Sequence, residues 1–209
     1  MINLIGAYIT LIFIVAVLYH RPPVKKYDDY LIRHVYVSYA LVCLGGLLLL
    51  NDLFGLFSLG GLFYPLYLID MLVETTTLWI HEAGHVYWSI GGTTLAVLGG
   101  TLNEVLFPIV LFGYSYWMKA FGFCAISTFW LGKNCFGISI YMADARAREL
   151  PLFGGAGTHD WEYLFGKLGL LEFDTTVSMF VYLVGLVLCV LSLGYFAYRV
   201  WRPNSKVAL

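Results

Sequence analysis

Charged residues are scarce in this sequence. Asp, Glu, Lys and Arg make up 12% of the 209 residues and hydrophobic residues make up 60%, whereas a soluble domain is roughly half apolar and about a quarter charged. A single domain of this length cannot enclose so much apolar surface, so lipid must cover part of it. The composition therefore excludes an ordinary soluble protein, and a formal net charge of -1 gives no reason to expect a nucleic-acid partner. We expect one polytopic membrane domain over residues 1–209, in contact with the lipid bilayer.

Cysteine is also rare, and the four cysteines form no close pair. Each lies in an apolar stretch, at Cys43, Cys124, Cys135 and Cys189. In such surroundings a cysteine is most often a small buried hydrophobe. Because no Cys-x-x-Cys spacing occurs, the sequence favours neither a disulfide framework nor a cysteine-bound metal.

Apolar stretches of membrane-spanning length predict an all-helical membrane protein with six membrane segments. They are about Asn3–Tyr19, Val35–Leu50 (with Phe57 as an alternative end), Tyr64–Ile90, Thr101–Met118, Phe121–Met142 and Thr175–Trp201. The first has no basic residue before its apolar run and no small-residue cleavage site after it. We therefore interpret it as a membrane anchor rather than a signal peptide.

Paired glycines interrupt the chain between the third and fourth segments. Gly91-Gly92 and Gly99-Gly100 bracket the short apolar stretch Thr93–Leu98. Glycine pairs are typical of turns, and irregular backbone at membrane depth is tolerated only where protein covers it. We predict a short re-entrant loop or small hairpin at this point.

The distribution of Lys and Arg predicts the orientation in the membrane. The predicted loops on one side hold four such residues in 20–34, none in 91–100 and three in 143–174. The other side holds four, namely Lys119 and three in the C-terminal tail. The richer side is expected to face the cytoplasm, so the loop 143–174 is predicted to be cytoplasmic.

The motif His81-Glu82-Ala83-Gly84-His85 carries the strongest chemical signal. The spacing of His81 and His85 puts both imidazoles on one helix face, one turn apart, where they can bind a single zinc ion. In this His-Glu-x-x-His arrangement the glutamate is not a ligand but the base that takes a proton from the metal-bound water. A charged residue costs roughly 2.5–3.5 kcal/mol at the centre of a membrane helix, and metal binding offers a compensation.

Two histidines leave room for a third protein ligand, and Asp144 is the first candidate. It ends the fifth segment, at the depth where His81 and His85 leave the third. The alternative is that it caps the helix or pairs with Arg146 or Arg148.

Glu104 is the second candidate, because it follows Asn103 and eighteen residues separate it from His85. It could instead neutralise Lys133 within the bundle. His159 and Asp160 are the third candidates. They lie on a glycine-containing loop, which suits a position behind the ligands or a gating role better than direct metal binding.

These motifs resemble the site-2 proteases, zinc metalloproteases that cleave peptide bonds within membranes. His81–His85 is similar to the motif of their first core helix, and Gly99-Gly100-Thr101-Leu102-Asn103 is similar to that of the second, with threonine in place of the usual proline. Asn134 and Asp144 resemble the asparagine and ligand aspartate of the third.

The resemblance covers Trp79 to Asp144, about a third of the chain, within a predicted protease core of about 64–145. It implies a zinc centre of His81, His85 and Asp144, with Asn103 and Asn134 binding substrate or oxyanion. The tail of the pattern, residues 143–161, also resembles bacterial membrane proteins related to that family, which implies the bacterial inner membrane.

The sequence thus predicts a zinc-dependent hydrolase, with Glu82 catalytic and a membrane protein or peptide as substrate. Two alternatives stay open. The same zinc chemistry would serve a hydrolase of lipid amides or esters. A non-catalytic metal-binding subunit could use intramembrane Asp70, Glu74, Glu104 and Lys133 as an ion path. The oligomeric state does not follow from the sequence.

Overall fold

A computed structural model describes Tyr27 and residues 35–55, 64–151 and 159–201. Within these residues there are six α-helices. They are α1 (Val35–Phe54), α2 (Tyr64–Trp88), α3 (Thr93–Trp117), α4 (Phe121–Ala143), α5 (Asp160–Leu168) and α6 (Asp174–Trp201). Short 3₁₀ turns, Ser89–Gly91 and Leu171–Phe173, follow α2 and precede α6. The predicted all-helical class is thereby confirmed for the described part of the chain, while the predicted first segment lies outside it.

Three helical stretches are long and apolar enough to cross a membrane: Tyr36–Phe54, Thr93–Trp117 and Leu171–Tyr198. The helices α2 and α4, also predicted to span, carry more polar side chains, including Asp70, Glu74 and Glu82 on α2 and Lys133 on α4. The structure therefore supports a membrane protein, and the full count of six spans stays a prediction.

The predicted re-entrant loop between the third and fourth segments is not confirmed. Thr93–Leu98 forms the first turns of α3, and the 3₁₀ turn Ser89–Gly91 followed by Gly92, with a φ of 89°, connects α3 to α2. The pair Gly99-Gly100 lies inside the helix. These glycines have a packing role instead: a Cβ on Gly99 would lie 2.6 Å from the carbonyl oxygen of Gly84 in α2. Small residues at such a contact let two membrane helices approach backbone to backbone.

A second close contact joins α4 and α6 around a glycine pair. A Cβ on Gly132 would lie 2.8 Å from the carbonyl oxygen of Gly185, and one on Gly185 would lie 2.7 Å from that of Gly132. The Ser192 hydroxyl donates to the Ala125 carbonyl at 2.7 Å across the same interface. The two glycine contacts set the spacing of α2 from α3 and of α4 from α6.

The short helix α5 is held against this frame by apolar packing. Trp161, Leu164 and Phe165 on α5 are buried together with Ile138 and Met142 of α4. An αL residue, Gly169, ends the helix, as is common at helix C-termini. This packing presents the first residue of α5 to the interior of the bundle.

Replacing Gly99 with alanine should destabilise the protein by about 1–3 kcal/mol, the usual effect of inserting a methyl group where there is no room. Gly113 on the same helix has no neighbouring atom within 4 Å of the place that a Cβ would occupy. Gly113→Ala should therefore be neutral or stabilising, since alanine favours a helix by about 1 kcal/mol over glycine. Thermal unfolding of both variants in detergent measures the difference, and equal midpoints would contradict the close α2–α3 contact.

Candidate metal centre

Two histidines and one aspartate converge between α2 and α5. Oδ2 of Asp160 lies 3.2 Å from Nε2 of His81 and 3.4 Å from Nε2 of His85. The three potential ligand atoms all lie within 4.8 Å of one another. His81 and Asp160 are buried and His85 is half-buried. Of the predicted ligands, the structure therefore brings together the two histidines and one residue of the third-ranked candidate pair.

The opposite ring nitrogens already have partners. Nδ1 of His81 lies 3.0 Å from Oε1 of Glu104, and Nδ1 of His85 lies 2.8 Å from the carbonyl oxygen of Ala96. Both partners only accept hydrogen bonds when Glu104 is ionised, so each Nδ1 must carry the proton. On each ring Nε2 is then the atom that faces Asp160, where it can either hold a proton that it donates to the carboxylate or bind a metal ion. A carboxylate or carbonyl behind a histidine is the usual support of a metal-bound imidazole.

The structure explains why Asp160 reaches this position. His159 is the N-cap of α5, and its Nδ1 accepts a hydrogen bond from the Glu162 amide at 3.2 Å. The Asp160 amide donates to the Tyr141 hydroxyl at 3.1 Å. Burial alone would raise the pKa of the Asp160 carboxyl, but its hydrogen bonds to His81 and His85 hold that pKa below its ordinary value. Asp160 is thus an ionised acceptor at a helix N-terminus.

Asp144, the first-ranked candidate for the third ligand, is directed elsewhere. Its carboxylate accepts hydrogen bonds from the amides of Glu149 at 2.9 Å and Leu150 at 3.2 Å. Its Oδ2 also lies 3.3 Å from Nε2 of the buried His159, a distance that allows attraction without a well-directed hydrogen bond. Burial acts to raise the pKa of Asp144, but the two amide hydrogen bonds and the nearby His159 together hold that pKa below its ordinary value. Asp144 is not in the group that converges with His81 and His85; Asp160 is.

The alternative partners proposed for Asp144 are also engaged elsewhere. Arg146 makes a two-pronged contact with Asp174, with distances of 2.7 and 2.8 Å. Arg148 pairs with Glu162 at 3.0 Å. Asp144 therefore stabilises the turn after α4 by accepting hydrogen bonds from backbone amides, and its carboxylate lies next to the His159 ring.

Lys133 does not pair with Glu104, the alternative role considered for that glutamate. Its Nζ lies 2.8 Å from Asp52 of α1 and 2.6 Å from Asp70 of α2. The amide of Asn51 donates to the other oxygen of Asp70 at 2.9 Å. Two carboxylates thus neutralise the buried lysine, and Glu104 is left to hold His81.

The two predicted substrate-binding asparagines connect helices. Asn103 accepts from the Trp88 indole at 3.1 Å and donates to a backbone carbonyl of α2 at 3.2 Å. Asn134 donates to the Glu104 carbonyl at 2.7 Å and accepts from Thr77 at 3.1 Å. These bonds fix α2, α3 and α4 around the histidines, so contact of either asparagine with substrate stays a prediction.

A cavity of about 990 Å³ opens beside the three converging side chains. Glu82, which is half-buried, lines it together with His81 and Asp160. Apolar side chains, among them Phe136 and Ile140, line it as well. The cavity therefore places a carboxylate base next to a potential metal site in a partly apolar chamber.

Sequence reasoning ranked Asp160, which converges with the two histidines, below Asp144 and Glu104, and it did not single out Tyr141, which lines the cavity. The position of Asp160 directly after His159, at the start of a nine-residue helix, was the available signal, since residues at helix N-termini are held more rigidly than residues on loops. Tyr141 is one of 16 tyrosines, and no motif distinguishes it from the others.

Comparison with protein-family models, with curated proteins and with solved structures gives no match to this chain. The interpretation of the centre therefore rests on its own geometry.

Proposed function

We propose that this protein is an intramembrane zinc metallohydrolase that cleaves peptide bonds of membrane-embedded segments. In this proposal His81, His85 and Asp160 bind the zinc, and Glu82 is the catalytic base. The observation that carries it is the convergence of two Nε2 atoms on one carboxylate oxygen while both Nδ1 atoms have acceptors behind them.

The donor set fits zinc. Two imidazole nitrogens and one carboxylate oxygen are a known ligand combination of catalytic zinc, and three protein ligands leave one coordination position for water or substrate. Asp160 thereby replaces Asp144 in the ligand set first inferred from the sequence. When bound, zinc would lower the pKa of water from 15.7 to about 7 and polarise the carbonyl of the substrate.

The side chains of the protein then have distinct tasks. Glu82 accepts a proton from the attacking water, whose oxygen forms a bond to the carbonyl carbon. The same carboxyl gives the proton to the nitrogen as the carbon–nitrogen bond breaks, so that an acid and an amine leave. Glu104 and the Ala96 carbonyl hold the two imidazoles in the orientation and tautomer that binding requires.

Peptide cleavage within a membrane demands local unwinding of the substrate. The carbonyl groups of a helix are already hydrogen-bonded, so the scissile bond must be exposed before it reaches the centre. Polar groups in the cavity, among them Asn134, would offer hydrogen-bonding partners to such a segment. The predicted loops on the side of the loop 143–174 together hold seven Lys and Arg residues against four on the other side, which supports a cytoplasmic position of the site, and a bacterial inner membrane belongs to the same proposal.

Hydrolysis of a lipid amide or ester is a second candidate, which two observations favour. The described residues contain no β-strand, so among them an extended peptide would find no strand edge to pair with. Phe136 and Ile140 make part of the cavity wall apolar, which suits an acyl chain.

Two measurements test the proposal. Elemental analysis of the purified protein should find one zinc per chain, and His81→Ala/His85→Ala should contain none. Zinc-loaded protein should then be mixed in liposomes with single-span peptides and long-chain N-acyl amide lipids, in water enriched in ¹⁸O. We expect peptide fragments whose new carboxyl group contains one ¹⁸O.

Labelled fatty acid with intact peptides would select the second candidate. Wild-type protein without stoichiometric zinc, or a double variant with full zinc content, would contradict the metal centre. Zinc-loaded protein that hydrolyses neither substrate class would contradict the assignment as a hydrolase of these bonds.

A further inference from the structure

Tyr141 lies where the metal centre, α5 and the cavity meet. Its side chain lines the cavity together with His81, Glu82 and Asp160. Its ring centroid is 4.2 Å from that of His159 and 6.4 Å from that of His81. His159 is 2% exposed, so one neighbour of the ring is a fully enclosed side chain. The phenol is therefore held at a defined place beside the potential ligands.

Within the described part of the chain, the hydrogen bonding of Tyr141 is incomplete. Its oxygen accepts from the backbone amide of Asp160 at 3.1 Å. A phenol also has one proton to donate, and none of the described residues accepts it. A buried or half-buried hydroxyl normally finds partners for both functions, so this donor is available to a molecule in the cavity.

We infer that the Tyr141 hydroxyl donates a hydrogen bond to the carbonyl oxygen of the scissile bond. This inference rests on the proposed function. As water adds to the carbonyl carbon, negative charge develops on that oxygen, and a pre-positioned donor stabilises the charge more than it stabilises the ground state. The Asp160 amide strengthens the effect, because donating to the phenol oxygen polarises its O–H bond.

The assignment divides the chemistry between two residues of the cavity wall. Glu82 takes up the proton of the attacking water and later releases it. Tyr141 keeps its own proton and only donates a hydrogen bond. The inference therefore specifies the substrate as a carbonyl compound, either a peptide, a lipid amide or an ester. The loss of the hydroxyl should lower kcat without a matching rise in KM.

Tyr141→Phe is the decisive variant, because it keeps the ring contacts with His159 and His81 and removes only the hydroxyl. Tyr163→Phe on α5 is the matched control, since the Tyr163 hydroxyl lies 3.2 Å from Thr94 and its side chain does not line the cavity. Three quantities should be measured for the zinc-loaded proteins: the zinc content, kcat and KM for the hydrolysed substrate, and the Kd of acetohydroxamate, a small zinc-binding carbonyl probe.

We expect Tyr141→Phe to keep one zinc per chain and to lower kcat by about 10²–10³, the usual effect of losing one oxyanion donor. Its Kd for acetohydroxamate should rise about tenfold, as expected for the loss of one hydrogen bond to a charged group. The Tyr163→Phe protein should match wild type in all three measurements.

Each other result overturns the inference in a recognisable way. Wild-type kcat and acetohydroxamate affinity in Tyr141→Phe would remove Tyr141 from the reaction and leave the proposed function intact. Loss of zinc from that variant would show that the hydroxyl only positions Asp160. A wild-type protein that binds no zinc would overturn this inference and the proposed function together.

Discussion

Replacing Glu82 with glutamine should leave the zinc content unchanged and lower the rate of hydrolysis by about 10² or more, the contribution expected of a general base. Glutamine keeps the length and most of the shape of glutamate but cannot accept the proton of the attacking water. Glu82 is also the only residue between His81 and His85 with an ionisable side chain. Elemental analysis and steady-state kinetics of the same preparation measure both effects.

Glu74→Gln provides the matched control for Glu82. Glu74 is on α2 as well and lines the same cavity, so its substitution also removes one negative charge from the chamber. It lies about two helical turns from His81 and about three from His85, and its substitution should retain most of the activity. Equal rates for wild type and Glu82→Gln would exclude the proposed mechanism, and equal losses in both variants would point to the net charge of the cavity instead of a base.

Asp160→Asn should weaken zinc binding far more than Asp144→Asn. The Asp160 carboxylate is the oxygen on which both Nε2 atoms converge, and asparagine is a poor zinc ligand because it is neutral. Asp144 is not one of the three converging residues, and it acts only indirectly, through its contact with Nε2 of His159. Substitutions behind the ligands cost about 10–100-fold in metal affinity. We expect Asp144→Asn to stay at or below that range and Asp160→Asn to exceed it.

Competition with a chromogenic zinc chelator gives both affinities in the same detergent solution. Comparing the two variants controls for the loss of one buried carboxylate, because Asp144 and Asp160 are both at least nine-tenths buried. If Asp144→Asn weakened zinc binding more than Asp160→Asn, Asp144 would be the third ligand. That result would favour the ligand set of His81, His85 and Asp144 that the resemblance to the site-2 proteases implies.

Local sequence patterns were sufficient to predict α1, α2, α4 and α6, but not α5, which lies in the predicted polar loop 143–174. The apolar stretches predicted from about Tyr64, Phe121 and Thr175 correspond to α2, α4 and α6, which begin at Tyr64, Phe121 and Asp174. The length of a membrane helix and its pattern of apolar residues depend on residues close in sequence and on the surrounding lipid. The start of such a helix can therefore be predicted from a single sequence. The same holds for the shared face of His81 and His85, since the two are one helical turn apart.

The glycine pair Gly99-Gly100 shows where local reasoning failed. Glycine indicates a turn when only its backbone freedom is considered, but here it lies in a helix and permits contact with Gly84. The difference comes from a neighbouring helix, which the local pattern does not contain.

The sequence by itself determined a helical membrane protein with two histidines and a glutamate on one helix. Only the tertiary structure decided which acidic side chain lies beside the two histidines and which ones neutralise Lys133. Asp160 is 79 residues from His81, and Asp52 is 81 residues from Lys133. Several carboxylates were chemically equivalent candidates. The crossing of α2 and α3 at their glycines and the packing of α5 on α4 determine which of them lie within about 3 Å, the range in which hydrogen bonds and ion pairs form.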